Sequence, residues 1–205
     1  DEQYKYQNRT GKPCGSNGAL QPFGLVALGL FQSQEEIDNS PEQTYGEYRV
    51  GDIKYQDVNG DGKVDDQDMV AIGYTNLPEI TYGFGLGAQW NNWDVNVFFQ
   101  GVARNSFFVG GSTISNPFSS GNMERAAVNE DVYGKVWMST NTAEQNANVI
   151  YPRLSRSGGA GASNNSKTST WWLRDGSFMR LKNFEVGYTL PKSILTKTFI
   201  KSLRF

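Results

Sequence analysis

The chain has 205 residues and a formal net charge of −2, so it presents no basic field to attract nucleic acid. Hydrophobic residues make up 38%, aromatics reach 13% and glycine numbers 23, a balance that suits alternating half-buried strands better than continuous buried runs. Histidine is absent and Cys14 is the single cysteine, which excludes Ser-His-Asp and Cys-His nucleophiles, most zinc and iron sites, and an internal disulfide.

The first residues, "DEQYKYQNRTGKP", lack the basic region and apolar core of a signal peptide. No apolar run approaches the ~18 residues of a spanning helix, whereas a spanning β-strand needs only about 9–11 alternating residues. "GALQPFGLVALGLF" is the most apolar stretch, and Pro22, Gly24 and Gly29 break it into irregular chain or short strand. "SQEEIDNSPEQTYGE" predicts a short acidic helical turn that stops before Pro41. "YRVGDIKYQ" then reads as a strand.

The stretch "DVNGDGKVDDQD", residues 57–68, matches a twelve-residue calcium loop. Asp57, Asn59 and Asp61 take positions 1, 3 and 5, with Gly62 at the sharp turn. Lys63 offers its backbone carbonyl, Asp65 takes position 9 and Asp68 position 12. Oxygen ligands at every second residue of a tight loop can converge on one Ca2+, although aspartate at position 12 reaches less far than the usual glutamate. The competing reading is a bare Asn-Gly/Asp-Gly turn decorated with acids. No helices flank the loop, so a structural ion is expected here rather than a sensor.

From Glu79 the pattern sharpens. Tyr82, Phe84, Leu86, Ala88 and Trp90 alternate with Thr81, Gly83, Gly85, Gly87 and Gln89 in strict period two. Asn91-Asn92 suits a type I′ hairpin turn, which takes two left-handed residues. On the next strand Trp93, Val95, Val97 and Phe99 alternate with Asp94, Asn96, Phe98 and Gln100. A long polar stretch follows, from about Asn105 to Thr170. Within it "NMERAAVNEDVYGKVWMS" allows a helix of about four turns, with Met123, Ala127, Val128 and Val132 near one side. "SRSGGAGASNNSKTST" reads as a flexible loop by composition. "RDGSFMRLKNFEVGYTL" returns to strand, with a bulge expected between Phe178 and Lys182 where the alternation blurs. Pro191 ends it, "KSILTKTF" bridges, and "IKSLRF" begins another strand.

The connections alternate between very short turns and long loops, as in an outer-membrane barrel. The fold class expected is therefore all-β: antiparallel strands of a partial transmembrane β-barrel, with long extracellular loops and one EF-hand-like calcium loop. The expected organisation is a barrel segment and extracellular loop over 1–78, carrying the calcium-type loop 57–68. A barrel hairpin follows over 79–104, a long extracellular loop with a short helix over 105–173, and barrel strands with a periplasmic turn over 174–205.

Four blocks then resemble, in order and over nearly the whole chain, the SusC/RagA family of TonB-linked outer-membrane nutrient transporters. They are "GDIKYQDVNGDGKVDDQDMVAIGY", "PEITYGFGLGAQWNNWDVNVFFQGVA", "YPRLS" and "WWLRDGSFMRLKNFEVGYTLPKS". The resemblance implies an internal piece of a C-terminal barrel, in a protein whose full barrel has about 22 strands around a plugged lumen. It implies location in the outer membrane of a Gram-negative bacterium and energised import of glycans or peptides without catalysis. The partners implied are a SusD-like surface lipoprotein as lid, TonB through parts outside this chain, an oligosaccharide or peptide substrate, and outer-membrane lipid.

On that reading Tyr82, Phe84, Leu86, Trp90, Trp93, Val95, Val97 and Phe99 face lipid. Trp90 and Trp93 then lie in the periplasmic aromatic girdle. Thr81, Gln89, Asp94, Asn96 and Gln100 face the lumen. Tyr133, Trp137, Trp171 and Trp172 are the candidates for substrate or partner contact, and the calcium loop pins an extracellular loop. The rival readings are a secreted calcium-stabilised β-domain that binds glycans or a protein, and a two-carboxylate glycosidase drawing on Glu79, Asp94, Asp175 or Glu185.

Overall fold

The computed structural model describes residues 6–13, 20–109, 133–155, 160–196, 199 and 202–205. Of the helix expected within 122–139, residues 122–132 with Met123, Ala127, Val128 and Val132 lie outside the described residues, as does Cys14; residues 133–139 are turn and isolated bridge, not helix. The strands in chain order are β1 (Phe23–Gly24), β2 (Ala27–Leu30), β3 (Glu42–Gln43), β4 (Ile53–Tyr55), β5 (Lys63–Val64), β6 (Val70–Ala71), β7 (Ile80–Trp90), β8 (Trp93–Ala103), β9 (Ser106–Phe108), β10 (Leu173–Asp175) and β11 (Phe178–Tyr188). The chain divides into two compact units, one of residues 1–76 and 106–175, the other of residues 77–105 and 176–205.

The first unit is built from short pairings. β1 pairs with β6, β2 with β4 and β9 with β10, all antiparallel, and β3 with β5 in parallel. Strands of two to four residues cannot cross a bilayer, which needs about 9–11 residues. The barrel segment expected within 1–78 is therefore not found among the described residues of this unit. Leu25, Leu30, Ile53, Tyr55, Val64 and Trp172 form its buried cluster. The acidic turn is a helix, Gln34–Asp38, capped by the Ser33 side chain accepting from the Glu36 amide.

The segment around Asn164 departs from the flexible loop expected there. A short helix, Ala162–Asn165, buries both asparagines completely. Asn165 Oδ1 accepts from Ile53 N at 2.9 Å, and Asn164 Nδ2 donates to Ile53 O at 2.8 Å. Gln43 Oε1 accepts from Tyr55 N at 2.7 Å. Side-chain amides thus supply the hydrogen bonds that a neighbouring strand would otherwise give β4, and a buried strand edge left without them is costly.

The second unit is a three-stranded antiparallel sheet in the order β11-β8-β7. Each strand has eleven residues. Phe84 opposes Phe99, Leu86 opposes Val97 and Trp90 opposes Trp93, so the two expected apolar faces merge into one. The expected bulge lies between Leu181 and Asn183. It shifts the alternation by one residue, so Met179 and Leu181 before it share a face with Phe184, Val186 and Tyr188 after it. In the Asn91-Asn92 turn only Asn91 has positive φ, 53°; one left-handed residue suffices, not the two that a type I′ turn takes. Beyond the short helix Lys192–Leu195, Leu203 and Phe205 exchange backbone hydrogen bonds with Leu190 and Tyr188, beginning the further strand that the sequence predicts.

Candidate functional site

The apolar face of the eleven-residue strands carries most of the expected site residues. Tyr82, Phe84, Leu86, Trp90 and Trp93 are exposed on it, Leu86 at 68%. Val95, Val97 and Phe99 share the face but are half-buried, because β8 is flanked by a strand on each side. Phe84 stacks on Phe99 at 5.2 Å between centroids and Trp93 tilts against Tyr188 at 4.8 Å. The sequence reading of these two strands left out β11, whose Met179, Leu181, Phe184 and Val186 extend the patch and are each about half exposed or more. Their period-two signal is broken by the bulge at Lys182, which hid the common face.

The opposite face is small and polar. Its glycines have a packing reason: Phe98 lies across them, so that a Cβ at Gly83 would come within 2.9 Å of the ring and one at Gly85 within 3.3 Å. Asp94 forms a two-point ion pair with Arg204, whose Nε donates at 3.0 Å. Arg180 donates to Gln100 Oε1 at 3.4 Å across the strands. Two of the four carboxylates weighed for a glycosidase are held in ion pairs: Asp94 by Arg204 and Glu79 by Arg104.

In the first unit the calcium-type loop follows β4 and ends in the 3-10 turn Asp66–Asp68. Its oxygens serve the loop's own backbone. Asp57 accepts from Gly60 N at 2.6 Å and Gly62 N at 2.8 Å, Asn59 from Asp61 N at 2.8 Å, and Asp61 from Lys63 N at 2.9 Å. Asp65 accepts from Gln67 N at 2.7 Å and caps the 3-10 turn. Asp68 is fully buried and takes three amides, Val58, Asn59 and Asp65. It therefore ties the loop's start to its end instead of standing free at position 12. Among the described residues no group of three or more His, Cys, Asp or Glu gathers as a metal cluster. Asp57, Asn59 and Asp61 are exposed or half-exposed, and a carboxylate oxygen that accepts one N–H keeps a second lone pair. The donor chemistry therefore suits a hard cation such as Ca2+.

The four aromatic contact candidates separate. Trp172 is only 2% exposed, and its Nε1 donates to Asn165 O at 2.7 Å, so it is a core residue and not a contact residue. Trp171 lines a cavity of about 430 Å3 with Ile150 and Arg174. Trp137 and Tyr133 line another of about 470 Å3, Tyr133 being 79% exposed. Sequence reasoning missed a buried ion pair. Asp52 is fully buried between Arg153, Asn165 and the Arg49 amide, at 2.8, 2.9 and 2.8 Å. Burial pushes its carboxyl above the usual range, against the opposing pull of Arg153. Nothing in the stretch "VGDI" marks that burial.

No protein-family model matches the chain. TonB-dependent receptor P3 of Formosa agariphila is 29% identical over 185 residues, which cover 89% of this chain and 16% of that protein. TonB-dependent receptor P26 of the same organism is 30% identical over 168 residues, covering 82% of this chain and 15% of that protein. The chain thus spans about a sixth of the length of the curated relatives it matches. Among solved structures, the RagAB peptide transporter superposes with a TM-score of 0.55 at 19% identity over 90% of this chain and 18% of its own. The RagAB peptide importer in its closed-closed state gives 0.53 at 18% identity over 89% of this chain and 18% of its own. With its sequence matched to these proteins over most of its length, the chain belongs to the TonB-dependent receptors, and its fold is similar to that of a part of RagAB.

Proposed function

We propose that this chain forms part of the wall and external loops of a Gram-negative outer-membrane transporter that imports bulky nutrients, glycans or peptides, on energy delivered through TonB. One observation carries the reading: three antiparallel strands of eleven residues present a continuous exposed apolar face. That is the length a tilted strand needs to cross a bilayer, and the alternation a barrel wall needs. In this reading Tyr82, Phe84, Leu86, Val95, Val97 and Phe99 meet acyl chains. Trp90 and Trp93 sit at the periplasmic interface beside their two-residue turn. The face of Asp94, Asn96, Gln100 and Arg204 turns to the lumen, where a polar surface carries no desolvation penalty. The residues connecting β8 to β11 lie outside the cell, and a SusD-like surface lipoprotein covers them as a lid. The chain has no catalytic role.

The loop 57–68 is proposed to hold a structural Ca2+ through Asp57, Asn59, Asp61, the Lys63 carbonyl and Asp65. Asp68 remains on its three amides. The affinity expected is that of extracellular modules, roughly 10⁻⁴–10⁻³ M. In the full-length protein, Asp57→Ala combined with Asp61→Ala should abolish calcium binding by calorimetry and the calcium-dependent rise in melting temperature. Unchanged stoichiometry and stability would remove the metal from this reading.

Cell fractionation tests the transport reading. The native polypeptide should be found in the outer membrane, and uptake of its nutrient should stop when TonB is deleted. Recovery of the chain as a soluble secreted species would instead promote a calcium-stabilised binding domain.

A further inference from the structure

The stretch "TWWLR", residues 170–174, sends its side chains two ways. Trp172 fills the core, whereas Thr170, Trp171 and Arg174 line the cavity of about 430 Å3 beside Leu28, Gly29 and Ile150. That volume falls within the ~300–1,000 Å3 common for ligand sites. Every lining residue belongs to the first unit, and no carboxylate is among them.

Arg174 gives the cavity its charge. Its Nη1 donates to Trp171 O at 2.7 Å and to Leu173 O at 2.9 Å, so the main chain fixes the plane of the guanidinium. Its Nε and Nη2 find no acceptor among the described residues, and neither is a buried atom, so both stand open to solvent. These two nitrogens share one edge of the fork, and a carboxylate takes such an edge through two parallel hydrogen bonds. A guanidinium already held in one plane also loses little freedom when it binds. The rest of the lining is mixed. Leu28 is 58% exposed and Ile150 46%, which with Trp171 provides apolar surface. Thr170 Oγ1 accepts from Ala27 N at 2.9 Å and keeps its own proton to donate.

We propose that this cavity binds a uronic acid residue of an oligosaccharide. The carboxylate accepts from Arg174 Nε and Nη2, the C–H face of the ring lies on Trp171 and Ile150, and a ring hydroxyl accepts from Thr170. A fatty acid would meet the guanidinium but leave the Thr170 hydroxyl unmatched, and a neutral sugar would leave the cation without its counter-charge. The proposal rests on the import reading and narrows its substrate class to anionic glycans.

The test uses the full-length protein purified in detergent, titrated calorimetrically with tetragalacturonate and, separately, with maltotetraose and tetraglutamate. Tetragalacturonate should bind, and neither of the others should compete with it. Arg174→Gln should weaken it about ten- to a hundredfold, the worth of a hydrogen bond to a charged group. Leu28→Asp leaves Arg174 and its two carbonyl partners in place but sets a negative charge in the groove, and should abolish binding. Melting curves matching the parent protein establish that the variants fold; if Arg174→Gln does not, Leu28→Asp decides alone. Absence of tetragalacturonate binding, competition by maltotetraose or tetraglutamate, or unchanged affinity in Leu28→Asp would overturn the proposal. The import reading fails on different data, namely outer-membrane location and TonB-dependent uptake in cells carrying the parent protein.

Discussion

Asp52 shows how much one buried charge can organise. Its two oxygens collect the Arg153 guanidinium, the Asn165 amide and the Arg49 backbone N–H, and so hold residues about a hundred positions apart in the sequence. Gly161, with φ of 83°, approaches so closely that a Cβ would stand within 2.5 Å of the carboxylate. Asp52→Ala strands three donors at once, and breaking one side of a buried pair costs about 3–5 kcal/mol. Arg153 retains some solvent access, its side chain being 23% exposed, so a loss near 3 kcal/mol is expected in chemical unfolding of the full protein. A loss below about 1 kcal/mol, the value of an exposed pair, would show the network to be dispensable. The pH dependence has a definite sign. Burial raises the folded carboxyl above its ordinary 3.8, so the folded state keeps this proton to higher pH than the unfolded chain does. Asp52 protonation therefore contributes stability fully below pH 3.8, and that contribution declines as pH rises through the raised value. Asp52→Asn should flatten this slope in melting temperature against pH.

At the scale of elements, the hairpin was legible because strict period two over Thr81–Trp90 admits one register once its two-residue turn is fixed. The bulge near Lys182 was legible only as a blur in the alternation between Phe178 and Lys182; that it brings Leu181 and Phe184 onto one face was not. The segment around Asn164 was not legible. Composition registers glycine, serine and asparagine as loop, and it cannot register that the asparagines replace a strand beside Ile53. Trp172 was misread on similar grounds, since a tryptophan in a polar stretch looks the same whether it reaches for a partner or fills a core. Within the hairpin, Leu86 sits near the middle of β7 and is 68% exposed on the apolar face. In the full-length protein, Leu86→Arg should cost about 2–4 kcal/mol of folding stability in lipid vesicles, the penalty of a cation near the bilayer midplane. Asn96→Asp, on the opposite face, should fold with a change under about 0.5 kcal/mol. Equal tolerance of both substitutions would show that the apolar face does not meet lipid.

At the scale of the whole chain, the sheet of β7, β8 and β11 cannot satisfy itself in water. Among the described residues β7 has a strand partner along one edge only, and β11 gains a few backbone hydrogen bonds from Leu203 and Phe205 on its outer side. Long unpaired edges beside an exposed aromatic face template pairing with further copies. A soluble sandwich would close a second sheet over Phe84, Leu86 and Phe184, and the described residues provide no strand of comparable length to do so. Lipid or detergent can cover that face, while further strands of a barrel would pair the edges. The 205-residue chain expressed alone should therefore sediment as large aggregates in detergent-free buffer and disperse in dodecylmaltoside micelles while keeping its β-sheet circular dichroism. Removing the detergent by dialysis should restore the aggregates, because the driving force is the uncovered face and not a folding error. A monodisperse 22.8 kDa monomer in plain buffer would mean that something within the chain covers the apolar face, and the lipid-facing assignment of Tyr82 through Phe99 would fall with it.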